Sequence, residues 1–487
     1  MRTGRPRRDE APRRVVVLGG GITGLAAAWE TTRLAQKEGR PVSVTVLEGS
    51  ERAGGKIRTE TLGGSVVETG PDSFITTKPD ALELVKELGL EGELIGTAGP
   101  STVGVVLGGR LVPMPEGMSL AAPTRMLPFA LSPLFSAGAK LRMAVEPLVP
   151  ARRGGGDESL ADFTRRRLGP EALERLVGPM LAGIYAGDPE KLSVKSTFPQ
   201  LVEMERRGGL ARSLWLGGAP RAASKGGFTT FMTLKSGLSG LVDALLRRLP
   251  PGTVKTDHPA QAVRRHGGEW EVVTPRGRFV ADAVVCALPA PAAADALEGA
   301  DPELAHRLRE IPFVSTATAT FVWDEKTLAR PPRGFGLLVP RREGLSVTAA
   351  TFSSSKFPGR AEPGKTVVRA FLGGAGREEA AEMAVTRVEE TARRELDGLL
   401  GLGGVKPLAA KATRWVKSNP QYNVGHAERL ERLASCLKSH PGLTLAGSSY
   451  TGVGLPDCVR SGRRAAARSL SLETRRTHAE HLLTGLA

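Results

Sequence analysis

The residues in this chain best placed to do chemistry are glycines. Gly19, Gly21 and Gly24 stand as GxGxxG between the β-branched run RVVVL and the helical pattern LAAAWETTRLAQKEG. At such a junction the first glycine permits a tight turn, the second lets backbone N–H groups approach a diphosphate, and the third lets helix and strand pack closely. The diphosphate then sits at the positive end of the helix. Gly20, Ile22 and Thr23 complete the loop. Glu48 ends the next strand, VSVTVLE, 24 residues beyond Gly24. A carboxylate in that place holds the ribose hydroxyls of a dinucleotide. A glycine turn with no ligand is the bland alternative.

Two further loops bear on which dinucleotide it is. GSERAGGKIRT carries Gly49, Arg52, Gly55 and Lys56, and VVETGPDSF carries Gly70, Pro71, Asp72 and Ser73. A nicotinamide dinucleotide does not need a second glycine-rich loop here. A flavin does, because its ribityl chain and ring must thread between the first βαβ unit and the rest of the domain. FAD is therefore expected rather than NAD(P). Near the other end, LAGSSYTGVGLPDCVRSGRRAA reads as strand, glycine loop and helix. Val453, Gly454 and Leu455 open that helix, whose dipole and free N–H groups could stabilise negative charge on a reduced flavin. A glycine-rich helix cap is the alternative. Trp415, in RWVKSNPQYNVGH, is a candidate to stack on the flavin, although a lone Trp is more often core.

The elements that must position these residues return to one domain from distant parts of the chain. Residues 15–85, 216–300 and 430–475 form a discontinuous dinucleotide-binding domain with a parallel sheet. ADAVVCALP reads as a further strand of it, with the composition of any buried parallel strand. Residues 86–215, with KPDALELVKELGL running into them and SLADFTRRRLG and PEALERLVGPMLAGIY within, have helical periodicity and form a mainly helical insertion. Residues 301–429 are strand-rich, with STATATFVW, GFGLLVP, SVTAATF and TVVRAFLGG, and form a substrate-binding sheet domain. EEAAEMAVTRVEETARRELDGLL is one long amphipathic helix inside it. The fold class is mixed α/β, a Rossmann-like domain with a helical insertion and a sheet-based second domain.

The chain of 487 residues carries a formal charge of +16. Part of this is local, because residues 1–14 hold six arginines and read as a disordered basic tail. With 5% aromatics and no zinc-finger or RNA-recognition pattern, nucleic acid is not an expected partner. Cys286, Cys436 and Cys458 are odd in number and unclustered, which points away from disulfides and zinc and towards a reducing, cytoplasmic compartment. The N-terminus lacks the apolar run of a secretory signal. MLPFALSPLFSAGA is too short and too proline-broken to span a membrane; it is core or a peripheral membrane contact.

Together, GGGITGLAAA, GGKIRT, ETGPDSF, MPEG, AGIYAGD, STFPQ, NPQYNVGH and GVGLPDC resemble the HemY-type porphyrinogen oxidases of the flavin amine-oxidase-like superfamily. The resemblance runs from Val15 to about Ala467. It implies oxidation of a porphyrinogen to a porphyrin in haem biosynthesis, with FAD and dioxygen: six electrons in three two-electron steps, and three hydrogen peroxide molecules. It implies no catalytic triad, dyad or metal, since the chemistry belongs to the flavin. Ala260 joins the cofactor set on the same ground. KEGRPVSVTVLE, LVPMPEGMSLAAPTRMLPFALSPLFS and GVGLPDC are similar to the Gram-positive-type branch, which implies coproporphyrinogen III as substrate. Protoporphyrinogen IX is the alternative, and another flavin amine oxidase or desaturase a further one. Lys78 is implied as a substrate-side cation, with Ile184, Tyr185, Gly187, Leu337 and Leu338 along the porphyrin. Plant and animal members bind a propionate through an arginine; Arg110 and Arg125 are nearest here, and neither aligns with it. The next enzyme of the pathway is the implied protein partner.

Overall fold

Five parallel strands carry the first glycine loop. Their order is Val254–Lys255, Val42–Leu47, Arg13–Leu18, Ala283–Cys286 and Leu443–Leu445. The order brings together the start, the middle and the end of the chain. The central strands are apolar on both faces because helices cover both. Val15, Val17 and Val285 pack with Leu25, Leu241 and Leu245 of the helices Ile22–Glu38 and Ser239–Arg248. Val16, Leu18 and Val284 pack on the other side with Ala293, Leu297, Leu430 and Leu433. The computed structural model describes residues 11–98, 101–119, 122–152, 154–216 and 228–471.

The first strand begins earlier than expected. Arg13 and Arg14 pair with Val42 and Ser43, so they belong to the sheet and not to the basic tail read over 1–14. The Arg14 guanidinium reaches Asp282 at 2.8 Å and Glu269 at 2.7 Å, and these carboxylates hold a basic residue at the strand end. Residues 1–10 of that tail lie outside the described residues.

A second, seven-stranded sheet has the order Ala409–Pro420, Phe313–Asp324, Lys365–Gly373, Val347–Phe352, Gly336–Leu338, Val103–Leu107 and Arg110–Pro113. Its last two strands come from the stretch read as helical. Gly108 and Gly109 have φ of +57° and +73°, the two left-handed positions of a tight hairpin turn between VVL and RLV. Val103–Leu107 then lies parallel to Gly336–Leu338 and extends the sheet. Leu94–Gly96 likewise pairs with Phe231–Leu234. Short helices between residues 126 and 216 enclose a separate core that includes Phe129, Phe163, Leu176 and Leu181.

Two helices depart from regular periodicity. In PEALERLVGPMLAGIY a π-turn over Leu173–Val177 precedes Gly178–Ile184. Pro179 lacks an N–H and crowds the preceding turn, and a wider turn relieves that. The long helix expected over residues 378–400 is two helices, Glu379–Glu382 and Val385–Leu400. At the break Arg414 takes the carbonyls of Glu382 and Met383, both at 3.1 Å. Among the described residues no helix is long and apolar enough to cross a membrane.

Candidate functional site

The first glycine loop closes by backbone contacts that only glycines permit. Gly19 has φ +96° and donates its N–H to Leu47 O at 2.8 Å. A Cβ on Gly24 would sit 1.9 Å from Gly19 O, so helix and strand could not approach as they do. Gly21 differs: a Cβ there would meet no protein atom within 4 Å. Gly21 caps the helix Ile22–Glu38 with no side-chain hydrogen bond, which leaves the first-turn N–H groups available. Ile22 and Thr23 form that turn. Glu48 lies just past its strand; Oε2 accepts from Gly20 N at 2.7 Å, while Oε1 accepts from Ser50 N and its hydroxyl. The carboxylate thus fixes the turn, a task that its spacing alone did not suggest. His258 N donates to Glu48 O, Pro259 packs over Gly49, and half-buried Ala260 follows.

The second loop lies directly on the first. Gly54 N donates to Gly20 O at 2.8 Å, and a Cβ on Gly55 would meet Gly21 Cα at 3.2 Å. Arg52 spends its guanidinium on the carbonyls of Ala53, Gly55 and Ile57, so it shapes this loop from within. Lys56 reaches across to Ser418 O, and burial pushes its ammonium pKa down.

The ETGPDS loop is clamped from the large sheet. Three neighbouring strands each send one donor to Thr69 O: Thr318 Oγ1 at 3.1 Å, Arg369 Nη2 at 3.0 Å and Trp415 Nε1 at 2.9 Å. Arg369 also holds Gly70 O at 2.5 Å. A Cβ on Gly70 would overlap Lys56 O, so glycine is required for the loop to cross there. Pro71 follows, and Asp72 pairs with Lys356 at 3.4 Å. Burial alone would raise the Asp72 carboxyl, yet Lys356, Arg369 and the Ser73 hydroxyl hold it at about 2. Trp415 is therefore anchored by its indole nitrogen to Thr69 O with its ring against Gly70, a role its composition context did not reveal.

The final helix, Leu455–Leu470, brings the late glycine loop to this place. It packs across the first helix so closely that a Cβ on Gly462 would lie 2.3 Å from Thr23 O. The Cys458 thiol bonds to Thr23, and burial pushes its pKa up to about 11. The two helices thus begin side by side, although Gly21 and Gly454 are far apart in sequence. Gly454 caps the final helix, again with no side-chain hydrogen bond. Val453 and Gly454 are half-buried, and Leu455 is buried.

The substrate-side candidates divide. Lys78 Nζ lies 2.8 Å from both oxygens of Asp457, in the first turn of the final helix. Asp457 is 3% exposed and also pairs with Arg460. Tyr185 is buried, its hydroxyl donating to Thr197 O at 3.2 Å; burial, with Asp457 nearby, raises its pKa. Gln421 Nε2 donates to Tyr185 O, and a Cβ on Gly187 would strike Leu192 and Gln421. Ile184 instead is 53% exposed. Leu337 is core, and Leu338 is half-buried. Asp457, Arg369 and Gln421 were missed by residue-type reasoning. Only Asp457 had a signal, a carboxylate three residues before Arg460 at a helix start.

A fold of this kind, with two uncapped helix starts over a stacked pair of glycine loops, is that of a flavoprotein. The sequence model of the flavin-containing amine oxidoreductases matches residues 22–470. The chain belongs to that family; it is an oxidoreductase, and its cofactor is FAD. It is 36% identical to coproporphyrinogen III oxidase of Bacillus subtilis (strain 168), over 95% of this chain and 99% of that protein. It is 33% identical to protoporphyrinogen oxidase of Macaca fascicularis, over 95% and 99%. The crystal structure of a proposed protoporphyrinogen oxidase from Exiguobacterium sp. 255-15 matches with a TM-score of 0.83 at 32% identity, covering 94% of this chain and 98% of that one. Cyclohexylamine oxidase from Brevibacterium oxydans shares the fold alone, with a TM-score of 0.67 at 17% identity, over 94% and 98%.

Proposed function

We propose that this chain oxidises a porphyrinogen to the porphyrin with FAD and dioxygen, and that its substrate is coproporphyrinogen III. The observation that carries this is end-to-end similarity to a protein named coproporphyrinogen III oxidase, at 36% identity across both the glycine-loop sheet and the large sheet. Similarity at 33% to a protein named protoporphyrinogen oxidase makes protoporphyrinogen IX the second reading.

The residues fit the cofactor. The open direction at Gly21, beside an uncapped helix start, leaves room for a diphosphate where no side chain competes. Glu48 would lie on the ribose side. Gly55, Lys56 and the Gly70–Ser73 loop, held by Arg369 and Trp415, would line the ribityl chain and ring. Val453, Gly454 and Leu455 would present the second helix start to the pyrimidine end, where its N–H groups would favour negative charge. When bound, FAD would supply the redox chemistry, a two-electron oxidation at a methylene carbon with dioxygen as the final acceptor, reduced to hydrogen peroxide. The protein orients the substrate and excludes water. Of the substrate-side set, Ile184 and Leu338 retain surface to offer it, Tyr185, Gly187 and Leu337 are buried, and the Lys78 ammonium is held by Asp457.

Three unpaired cysteines support a cytoplasmic setting. Leu127, Leu131, Leu141 and Leu148 are strongly exposed in the helical region, which supports peripheral contact with a membrane or with the next enzyme of the pathway. The deciding experiment is aerobic turnover of both porphyrinogens, followed by porphyrin fluorescence. We expect kcat/KM to favour coproporphyrinogen III. Equal or reversed preference overturns the substrate assignment, and absence of porphyrin from either overturns the function.

A further inference from the structure

We propose that Lys78 acts on the cofactor through Asp457: the ion-pair chain Lys78–Asp457–Arg460–Asp80 sets the charge at the redox end of FAD. The proposal rests on the reading that Gly452–Leu455 faces the flavin.

Asp457 is an unusual residue for its place. Its carboxylate is pressed beneath the loop backbone: a Cβ on Gly452 would lie 2.5 Å from Oδ2, and one on Gly454 would lie 3.1 Å from it. A carboxylate inside a helix start interacts well with the dipole, but it also cancels the field that the helix would present to an anion outside. Left alone, it would oppose the negative charge that a flavin gains on reduction. The surrounding cations prevent this. Lys78 Nζ takes both oxygens at 2.8 Å, Arg460 takes Oδ1 from the next turn, and Arg460 Nη1 lies 3.3 Å from Asp80 Oδ2. The four groups sum to zero charge. Because Asp457 is 3% exposed, water does not screen its side of the pair as it does for surface ion pairs. The Lys78 side chain is 41% exposed, so its charge can be removed without opening a cavity in the core. Lys78 is a positioning residue in this scheme: it acts through Asp457.

The test uses the holoenzyme and the variants K78M, K78R, D457N and K78M/D457N. Flavin content is read from visible absorbance, and the midpoint potential from stepwise reduction against a reference dye. We expect K78M to retain FAD while its reduction equilibrium constant falls about tenfold, about 30 mV for a two-electron couple. K78R should stay near wild type, D457N should shift the opposite way, and the double variant should return to within about threefold of wild type. An unchanged potential in K78M, with only KM raised, overturns the proposal and assigns Lys78 to the substrate. If D457N does not fold, the two Lys78 variants still decide it. A wild-type protein that binds no FAD would instead refute the reading of the site itself.

Discussion

Gly21→Ala separates what the fold needs from what the cofactor needs. Gly21 has φ −69° and ψ 175°, an extended conformation open to any residue. A Cβ would touch no protein atom within 4 Å. Alanine reduces the freedom of the unfolded chain, which stabilises by about 0.4–1 kcal/mol. It is also a poorer N-cap than glycine, which costs a comparable amount. The flavin-free protein should therefore unfold within about 1 kcal/mol of wild type. FAD should suffer, because a methyl group forced into a close-fitting site costs about 1–3 kcal/mol, roughly 5- to 150-fold in affinity. Gly24→Ala is the contrast. Its Cβ would fall 1.9 Å from Gly19 O, so the flavin-free protein itself should be destabilised. The assay is thermal unfolding of stripped protein, followed by FAD titration through quenching of flavin fluorescence. Wild-type FAD affinity in Gly21→Ala would refute the placement of the diphosphate.

The helical core should depend on a buried pair: Arg167 and Glu146 are at most 1% exposed, and Glu146 also accepts from Leu210 N and Ala211 N. Glu146→Leu leaves the buried Arg167 charge with only Glu205, at 3.5 Å, and strands the two N–H groups, so it should cost about 3–5 kcal/mol, read by denaturant unfolding. Burial holds His426 down at about 4. Its folded pKa lies below the unfolded one, so its contribution is present above about pH 6.5 and is lost as pH falls towards 4, by up to about 3 kcal/mol. His426→Asn should flatten the stability–pH slope in that window; an unchanged slope contradicts this origin. Trp415→Phe removes one of three donors to Thr69 O and should cost only about 0.5–1.5 kcal/mol, with FAD affinity kept within a few-fold. Loss of flavin in that variant would show that the indole nitrogen, and not the ring, is essential.

Much of the site was legible because its signals are local. A glycine turn between strand and helix depends on residues within a few positions, so Gly19–Gly24, Glu48 and the late loop at Gly452–Leu455 stood out. Apolar strands and helical periodicity likewise marked the parallel sheet and the large second sheet. Errors came where local pattern and tertiary pairing competed. The hairpin Val103–Pro113 has plain turn glycines, but only the edge of Gly336–Leu338 decides that it extends the large sheet. Met383 and Ala384 sit in a good helical pattern, which breaks because Arg414 claims the carbonyls.

The sequence by itself determined the kind of protein: a flavin-binding α/β chain with two glycine-rich helix starts. Backbone freedom and helix polarity reside in short segments, and short segments can be read directly. Only the tertiary structure decided which charges meet. Lys78 finds Asp457, and Arg369 finds Thr69 and Gly70, across hundreds of residues. Such pairs are set by where the folded chain returns, and no spacing in the sequence encodes that distance.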